Sequence, residues 1–170
     1  MTEKSKESGN QDKKEDARID YQVATTLWTY EGQLVWSKFN AMLVANSIVL
    51  AVIGLGISSQ LELPIFTIGM PIAGLFFCAM WFLVTKRGFD NYVYWIRSAR
   101  ELEERHLTDI VETVSRGGDF AAGKEVQLTI NGETRKYRMS WFGRLLKVEW
   151  ASYLIIGVFA VIYLIILIYN

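Results

Sequence analysis

The sequence predicts an all-α membrane protein with three transmembrane helices, long cytoplasmic helical extensions and one small β-hairpin. Three apolar stretches, each about 20 residues long, are long enough to cross a bilayer as helices. None of these stretches contains Asp, Glu, Lys, Arg or His, although the rest of the 170-residue chain is rich in charge. A short segment in which apolar and polar residues alternate around an Asn-Gly pair predicts the hairpin.

The N-terminal region is predicted to contain a tail and a helix. Residues 1–18 form a mixed-charge run without a large apolar side chain after Met1, which predicts a disordered cytoplasmic tail. Residues 19–38 are predicted to form an amphipathic cytoplasmic helix, because apolar side chains recur there at spacings of four and three. These apolar positions are Val23, Leu27, Tyr30 and Leu34.

The apolar stripe of this predicted helix has two possible partners. It can lie on membrane headgroups, or it can pack on other cytoplasmic helices. Packing is favoured, because the stripe is narrow and the polar face lacks the many lysines of helices that lie on membranes. The helix then leads into the first transmembrane helix, residues 39–57.

The second transmembrane helix, residues 64–84, is predicted to continue as a cytoplasmic helix over residues 85–116. Apolar residues step by threes and fours through this extension, and only Glu103 interrupts the stripe. A basic residue followed by glycines, Arg116-Gly117-Gly118, is typical of a helix C-terminus. The apolar members of the stripe are Phe89, Tyr92, Ile96, Ala99, Leu107, Ile110 and Val114.

Residues 117–149 are predicted to form a cytoplasmic β-hairpin and an interfacial helix. The Asn131-Gly132 pair is a turn signal between two alternating segments. A two-residue turn pairs Val126 with Tyr137, and a four-residue loop pairs Leu128 with Tyr137; both leave the same apolar face. Because a lone hairpin is only marginally stable in water, it must dock on the helical part or on hairpins of other subunits.

The third transmembrane helix, residues 150–169, follows the interfacial helix, which Ser140 is placed to cap. Orientation follows from Lys and Arg. These residues occur before the first span and between the second and third spans, and they are absent from the turn that joins the first two spans. By the positive-inside rule, we predict a multi-pass protein of the cytoplasmic (inner) membrane with a cytoplasmic N-terminus and an external C-terminus.

Polar and small side chains in the spans are the candidate contacts of an assembly. An amide in hydrocarbon is costly unless a neighbouring helix satisfies it, so Asn40 and Asn46 favour helix association; the alternative is that they line a pore. Small residues at a spacing of four allow helices to approach closely. The candidates for oligomer contact or pore lining are Asn40, Ala41, Ala45, Asn46, Ser47, Gly69 and Ala73.

The residue patterns predict no catalytic, cofactor-binding or metal site. The chain has no phosphate-binding glycine loop, nucleophile elbow or two-histidine zinc motif. The only histidine, His106, is interpreted as a partly exposed helix residue, because the cytoplasmic region has no second His or Cys ligand. A basic cluster is predicted to contact anionic lipid headgroups, with no nucleic-acid partner. That cluster consists of Lys136, Arg138, Arg144 and Lys147.

A series of short motifs runs through about residues 21–107. In order, they are Asn46-Ser47 before Gly54, then Leu63-Pro64, Ile72-Ala73-Gly74, Trp81, Ile96 and Glu101-Leu102-Glu103. In this order they resemble the small bacterial inner-membrane proteins of the RipA type, in the octameric membrane protein family. The resemblance implies a homo-oligomeric, octameric protein of the cytoplasmic membrane to which no biochemical activity is assigned.

These observations favour a non-enzymatic, homo-oligomeric scaffold whose partners are other copies of the chain and membrane lipids. The alternative is a pore or channel, because two spans followed by a long cytoplasmic helix also resemble the SLATT-type effectors. In a pore, Asn40 and Asn46 must face a water-filled axis. A third possibility is an enzyme or ligand sensor built at subunit interfaces around Glu103, Glu104 and His106.

Overall fold

The computed structural model describes residues 3–59, 63–107, 111–145 and 147–169. The chain divides into two compact units. We call the first the hairpin unit, which is formed by Met1–Glu31 and Asn91–Lys147. The second is the span unit, which is formed by Gly32–Asp90 and Val148–Asn170. Each unit has its own buried apolar cluster.

Helices make up most of the described chain. The long helices are α1 (Glu3–Ser58), α2 (Met70–Leu102) and α5 (Val148–Tyr169). A π-helical turn precedes α2 at Ile65–Gly69, and another follows it at Glu103–Leu107. Between α2 and α5 the chain forms α3 (Thr113–Ala121), strands β1 (Val126–Ile130) and β2 (Glu133–Tyr137), and α4 (Trp141–Leu145).

Three of the described helices are long and apolar enough to cross a membrane, which confirms the predicted membrane fold. They cover Lys13–Ser58, Ile65–Leu107 and Val148–Tyr169. The predicted spans 39–57 and 150–169 lie within the first and third of these helices, and 64–84 begins one residue before the second.

The core of the span unit brings together side chains from α1, α2 and α5. Trp81 on α2 is fully buried. The centroid of its ring lies 4.9 Å from the ring centroid of Phe39 on α1 and 5.8 Å from that of Phe159 on α5. Such distances are typical of favourable aromatic pairs. Trp81 therefore links all three predicted spans. The buried cluster consists of Phe39, Ile53, Cys78, Trp81, Ile156 and Tyr163.

Gly74 lets α5 approach α2 closely. A Cβ atom at this position would lie 2.4 Å from two ring carbons of Tyr163, a separation that real Cβ atoms do not show. The aromatic ring thus occupies the space that any larger residue at position 74 would need. Packing of Tyr163 against the second span depends on the absence of a side chain there.

The π-helical turn at Ile65–Gly69 directly precedes Met70 and Pro71. The Met70 N–H donates to the carbonyl of Ile65, five residues earlier. Proline has no N–H, and its ring clashes with the carbonyl four residues before it in a regular helix. The wider turn relieves this conflict at the start of the second span.

The buried face of α1 in the hairpin unit differs from the predicted apolar stripe. Ala24 joins Ala99 and Val114 in the buried cluster, and Tyr21, Trp28 and other partly buried residues pack on them. Two members of the predicted stripe, Val23 and Tyr30, are 50% and 57% exposed. The predicted stripe is therefore not the face that packs within the hairpin unit, because alanine permits a closer approach of helices than the larger residues do.

The structure also differs from the prediction of a disordered tail over residues 1–18, because α1 begins at Glu3. This segment contains no Pro and no β-branched residue after position 2, and Glu15 forms an ion pair with Arg18 one turn later at 3.6 Å. Ala17 is buried. A lack of large apolar side chains argued against a core contribution, but it does not oppose helix formation.

The predicted continuous helix to residue 116 is interrupted. The second helix ends its regular α-helical part at Leu102, and α3 is a separate helix that runs through Gly117 and Gly118. Of the predicted stripe, Ala99, Leu107 and Val114 are buried. Phe89, Tyr92 and Ile96 are half-buried, and Ile110 lies outside the described residues. In an unbroken helix Glu103 would interrupt an apolar surface, whereas the break brings the start of α3 to its carboxylate.

The hairpin uses the shorter of the two predicted connections. Val126 pairs with Tyr137, and Ile130 pairs with Glu133 next to the turn. Asn131 and Gly132 have φ angles of 53° and 80°, the left-handed conformation that a two-residue type I′ turn requires. The hairpin contacts α3 through β1, where Val126 is buried. It therefore docks on a helix of its own chain, one of the two predicted solutions.

The interfacial helix is the single-turn helix α4. The Gly143 N–H donates to Oγ of Ser140 at 3.3 Å, as the predicted cap requires. Trp141, Phe142 and Leu145 are 61%, 77% and 67% exposed. An exposed apolar turn next to a membrane-spanning helix is typical of a segment that lies in the headgroup region.

We expect Gly74→Ala to lower the free energy of unfolding by about 1–3 kcal/mol, because the added methyl group must push the Tyr163 ring away from α2. Thermal unfolding of the purified protein in mild detergent measures this loss. Gly54→Ala on α1 is the matched control, since nothing lies within 4 Å of the Cβ position there. Equal stability of the two variants would contradict the proposed close contact.

Candidate functional site

Asn46 lies buried in the span unit and bonds to three helices. Its side-chain oxygen accepts hydrogen bonds from Oη of Tyr163 on α5 at 3.2 Å and from Sγ of Cys78 on α2 at 3.7 Å. Its Nδ2 donates to the carbonyl of Met42 on α1 at 2.9 Å. Only 1% of Asn46 is exposed. These partners satisfy the amide within one copy of the chain.

The hydrogen bonds of Asn46 stabilise the packing of the three helices. An amide that is buried without partners costs several kcal/mol of free energy, roughly 2–7 by transfer measurements. The hydrogen bonds of Tyr163 and Cys78 remove most of this cost only when the three helices lie together. Tyr163 was not among the predicted contact residues, although a Tyr in the middle of an apolar run is a signal that its hydroxyl has a partner.

The other residues that were predicted to contact neighbouring subunits or line a pore are exposed on the span unit. Ser47 also donates from its Oγ to the carbonyl of Leu43 at 2.8 Å, which satisfies the hydroxyl within α1. The structure therefore separates the buried Asn46 from the remaining candidates. These exposed residues are Asn40, Ala41, Ala45, Ser47, Gly69 and Ala73.

Glu103 is the central residue of a second polar contact, in the hairpin unit. It is 1% exposed, and its Oε1 accepts hydrogen bonds from Oη of Tyr21 and from the backbone N–H of Val114, both at 2.8 Å. Its Oε2 accepts from the N–H of Ser115 at 2.7 Å. Val114 and Ser115 lie in the first turn of α3, where backbone N–H groups lack partners within the helix. The carboxylate of the preceding π-helical turn thus caps α3.

The surroundings of Glu103 favour its charged form. Burial by itself would raise the pKa of the carboxyl, but the hydrogen bonds from Val114, Ser115 and Tyr21 outweigh burial and hold the pKa below its usual value. The pKa of Tyr21 is raised by burial and by its hydrogen bond to the negative Glu103. The contact is therefore a neutral phenol and an anion at neutral pH, with the anion at a positive helix end.

The structure does not bring Glu103, Glu104 and His106 together as a metal site. They share one π-helical turn, but Glu104 and His106 are exposed while Glu103 points into the core. Within the described ranges, no group of three His, Cys, Asp or Glu residues is arranged to hold a metal ion. The role of Glu103 is explained by its contacts with Tyr21 and α3.

An open cleft of about 400 Å³ separates α3 from the apolar face of the hairpin. Its walls include Phe120 of α3 and Val126, Leu128 and Tyr137 of the hairpin, with Arg116 at one side. Leu128 and Tyr137 are each 37% exposed. Docking of the hairpin on α3 is thus incomplete and leaves apolar surface accessible within the hairpin unit.

Three members of the predicted basic cluster have contacts within the chain. Nζ of Lys136 lies 2.8 Å from Oε1 of Glu125, and Nε of Arg138 donates to the carbonyl of Gly123 at 3.1 Å. The aliphatic part of Arg144 covers Gly123, whose φ of 81° and lack of a side chain make room for it. The fourth member, Lys147, is exposed.

The chain matches the octameric membrane protein family (8xMP) over residues 19–170. This range includes parts of both units and all three predicted spans. The match confirms the family indicated by the sequence motifs, at a broader level than the RipA type. Comparison with curated proteins and with solved structures gives no match.

We expect Glu103→Gln to lower the free energy of unfolding by roughly 1–3 kcal/mol at pH 7, because the charged acceptor of α3 is lost. Since the pKa of Glu103 is lowered in the folded state, its contribution is complete above the unfolded value of about 4.3 and is lost as the pH falls further. The difference between wild type and variant should therefore shrink below about pH 4.

Thermal unfolding of the purified full chain across this pH range measures the difference. Glu101→Gln is the control, because Glu101 is exposed and forms only a surface ion pair with Arg105 at 3.0 Å. A stability difference for Glu103→Gln that stays constant from neutral to acid pH would show that the charge of the carboxylate does not stabilise α3.

Proposed function

Because the chain belongs to the octameric membrane protein family, we propose that it is a non-enzymatic scaffold in which eight copies assemble in the bacterial cytoplasmic membrane. The burial of Asn46 is the observation that carries this proposal. Asn46 is one of the two amides that were predicted to line a water-filled path, and its side chain is occupied by Tyr163 and Cys78 of its own chain. The span unit thus directs the Asn46 amide inward, and its surface carries largely apolar side chains together with Asn40.

The outer surface of the span unit supports assembly by helix packing. Large apolar side chains on all three spans are exposed there, among them Ile48, Phe76 and Leu154 at 58%, 65% and 64%. Small residues at positions 41, 45 and 73 are also exposed on the span unit. In a bilayer, apolar surface meets lipid or another helix, and small residues favour close packing of helices. Copies of the span unit therefore have a suitable surface for packing side by side.

The contacts of Glu103 support a structural role outside the spans. Among the described acidic residues it is the one that is buried, and its oxygens are occupied by Tyr21, Val114 and Ser115. A carboxylate with a lowered pKa and fixed donors is a poor general base at neutral pH, since it holds its charge without taking up a proton. Its chemistry is that of a helix cap.

The proposed orientation places the N-terminus in the cytoplasm and the C-terminus outside. Lys86 and Arg87 are exposed directly after the second predicted span, as the positive-inside rule expects for a cytoplasmic end. The exposed Lys147 and the aromatic α4 precede the third span. We include anionic lipid headgroups among the partners of this basic and aromatic region.

A pore is the second candidate, and exposure of Asn40 favours it. Asn40 and Ser47 are seven residues apart on α1, on the same side of the helix, and both are exposed. If this side of α1 faced an axis shared by several copies, polar groups would line the axis near one membrane surface. Asn46 does not contribute to this path, because it is buried within one copy.

The mass of the purified particle in nanodiscs tests the scaffold proposal. We expect about eight times the 19.5 kDa of one chain after correction for lipid. In liposomes we expect no ion flux above that of empty vesicles, and no change on Asn40→Leu. Flux that Asn40→Leu alters would favour the pore, and a monodisperse monomer would contradict both candidates.

Orientation is tested by cysteine labelling in a Cys78→Ser background, since Cys78 is the sole cysteine. With a membrane-impermeant maleimide, we expect Ser59→Cys after the first span to react in intact cells. Arg135→Cys on the exposed strand β2 should react only after lysis. The Cys78→Ser protein without either new cysteine receives the same treatment as the control and should not be labelled. The opposite pattern would reverse the proposed topology.

A further inference from the structure

In the hairpin unit, α1 has two different surfaces. Ala17, Tyr21, Ala24 and Trp28 form the face that packs within the unit. A second face carries apolar residues at helical spacing and has no covering element in the described chain. We call this second face the α1 stripe; it consists of Ile19, Val23, Leu27 and Tyr30.

The α1 stripe is apolar and accessible. Ile19, Val23 and Tyr30 are 52%, 50% and 57% exposed, and they occur at spacings of four and seven, so they lie on one side of the helix. A shallow groove of about 360 Å³ runs along Ile19, Val23 and Leu27. Contiguous apolar patches of this kind mark interaction surfaces more often than isolated exposed side chains do.

We propose that the α1 stripe is a contact surface for a second copy of this chain. The proposal rests on the proposed oligomer and adds the surface that holds its copies together outside the spans. The family match begins at Ile19, the first residue of the stripe, and leaves out the residues before it. The stripe is thus part of the segment that the chain shares with a family of self-associating proteins.

Charge favours a protein partner over a lipid surface. From Ile19 to Ser37 the chain contains no Lys or Arg, whereas Asp20 and Glu31 are present. A helix that lies on anionic headgroups carries basic residues beside its apolar face, and acidic residues there are repelled. An apolar stripe with acidic neighbours instead suits contact with an apolar protein surface.

The α1 stripe must be tested with a method that does not assume which surface of the neighbouring copy it contacts. In a closed ring the surfaces are joined head to tail, so the α1 stripe meets a different surface of the neighbouring copy. A disulfide between two equivalent positions would miss such a contact. A photo-crosslinking amino acid reacts with whatever lies next to it, so it makes no assumption about the receiving surface.

We would place p-benzoylphenylalanine at Val23 in the full chain, purify the protein in nanodiscs and irradiate it. The expected result is a covalent adduct of two copies, identified on a denaturing gel and by mass spectrometry of the joined peptides. Thr29 is the matched control, because it is exposed on the same helix and points about 120° away from Val23. We expect about fivefold less adduct from Thr29, since its side of the helix lies outside the contact.

Ile19 serves as a second test position, so that a folding defect at one site does not decide the result. The mass of each sample before irradiation separates the two proposals. An oligomer in which Val23 and Ile19 give no adduct of two copies, or give no more than Thr29, would overturn the α1 stripe and leave the scaffold intact. Adducts with lipid alone would also overturn it, and a monomeric wild type would refute the scaffold itself.

Discussion

The amide of Asn46 is the constraint on which the span unit depends. The three predicted spans contain no charged residue and could pack in many equivalent ways, since apolar contacts have little directional preference. One amide removes most of this freedom, because it must meet the hydroxyl of Tyr163 and the thiol of Cys78 in hydrocarbon. Residue 74 must then be a glycine, because the Tyr163 ring, whose hydroxyl bonds to Asn46, occupies the space that a side chain at position 74 would need.

The hairpin unit follows the same physical rule with a charge in place of an amide. Glu103 would be unfavourable in the apolar stripe of an unbroken helix, and the chain resolves this by ending α2 and starting α3 beside it. The unpaired N–H groups at the start of α3 and the carboxylate satisfy each other. Tyr21 adds α1 to the contact, so one anion holds three segments of the chain together.

Asn46 in the span unit and Glu103 in the hairpin unit find hydrogen-bond partners within their own unit, and both units leave apolar surface outside. On the span unit this surface suits lipid or neighbouring helices. On the hairpin unit the α1 stripe and the cleft beside Phe120 remain open in a single copy. The chain belongs to an octameric family, and we propose that contacts between subunits cover such surfaces. A single chain thus satisfies the buried side chains of Asn46 and Glu103 but leaves apolar surface uncovered.

The sequence by itself determined the three membrane helices, the hairpin and the family. Helix length and absence of charge are local properties of the chain, and Asn131-Gly132 is a turn whose geometry needs no distant partner. Tertiary structure decided which face of α1 is buried, where α2 is interrupted and where Asn46 points. Hydrophobicity indicates that a face is apolar but not whether it meets its own chain or another copy. Local patterns could not identify Ala24 and Glu103 as buried, because neither residue has its contacts nearby in the sequence. Ala24 packs on residues about 75–90 positions further along, and Glu103 accepts a hydrogen bond from a residue 11 positions away.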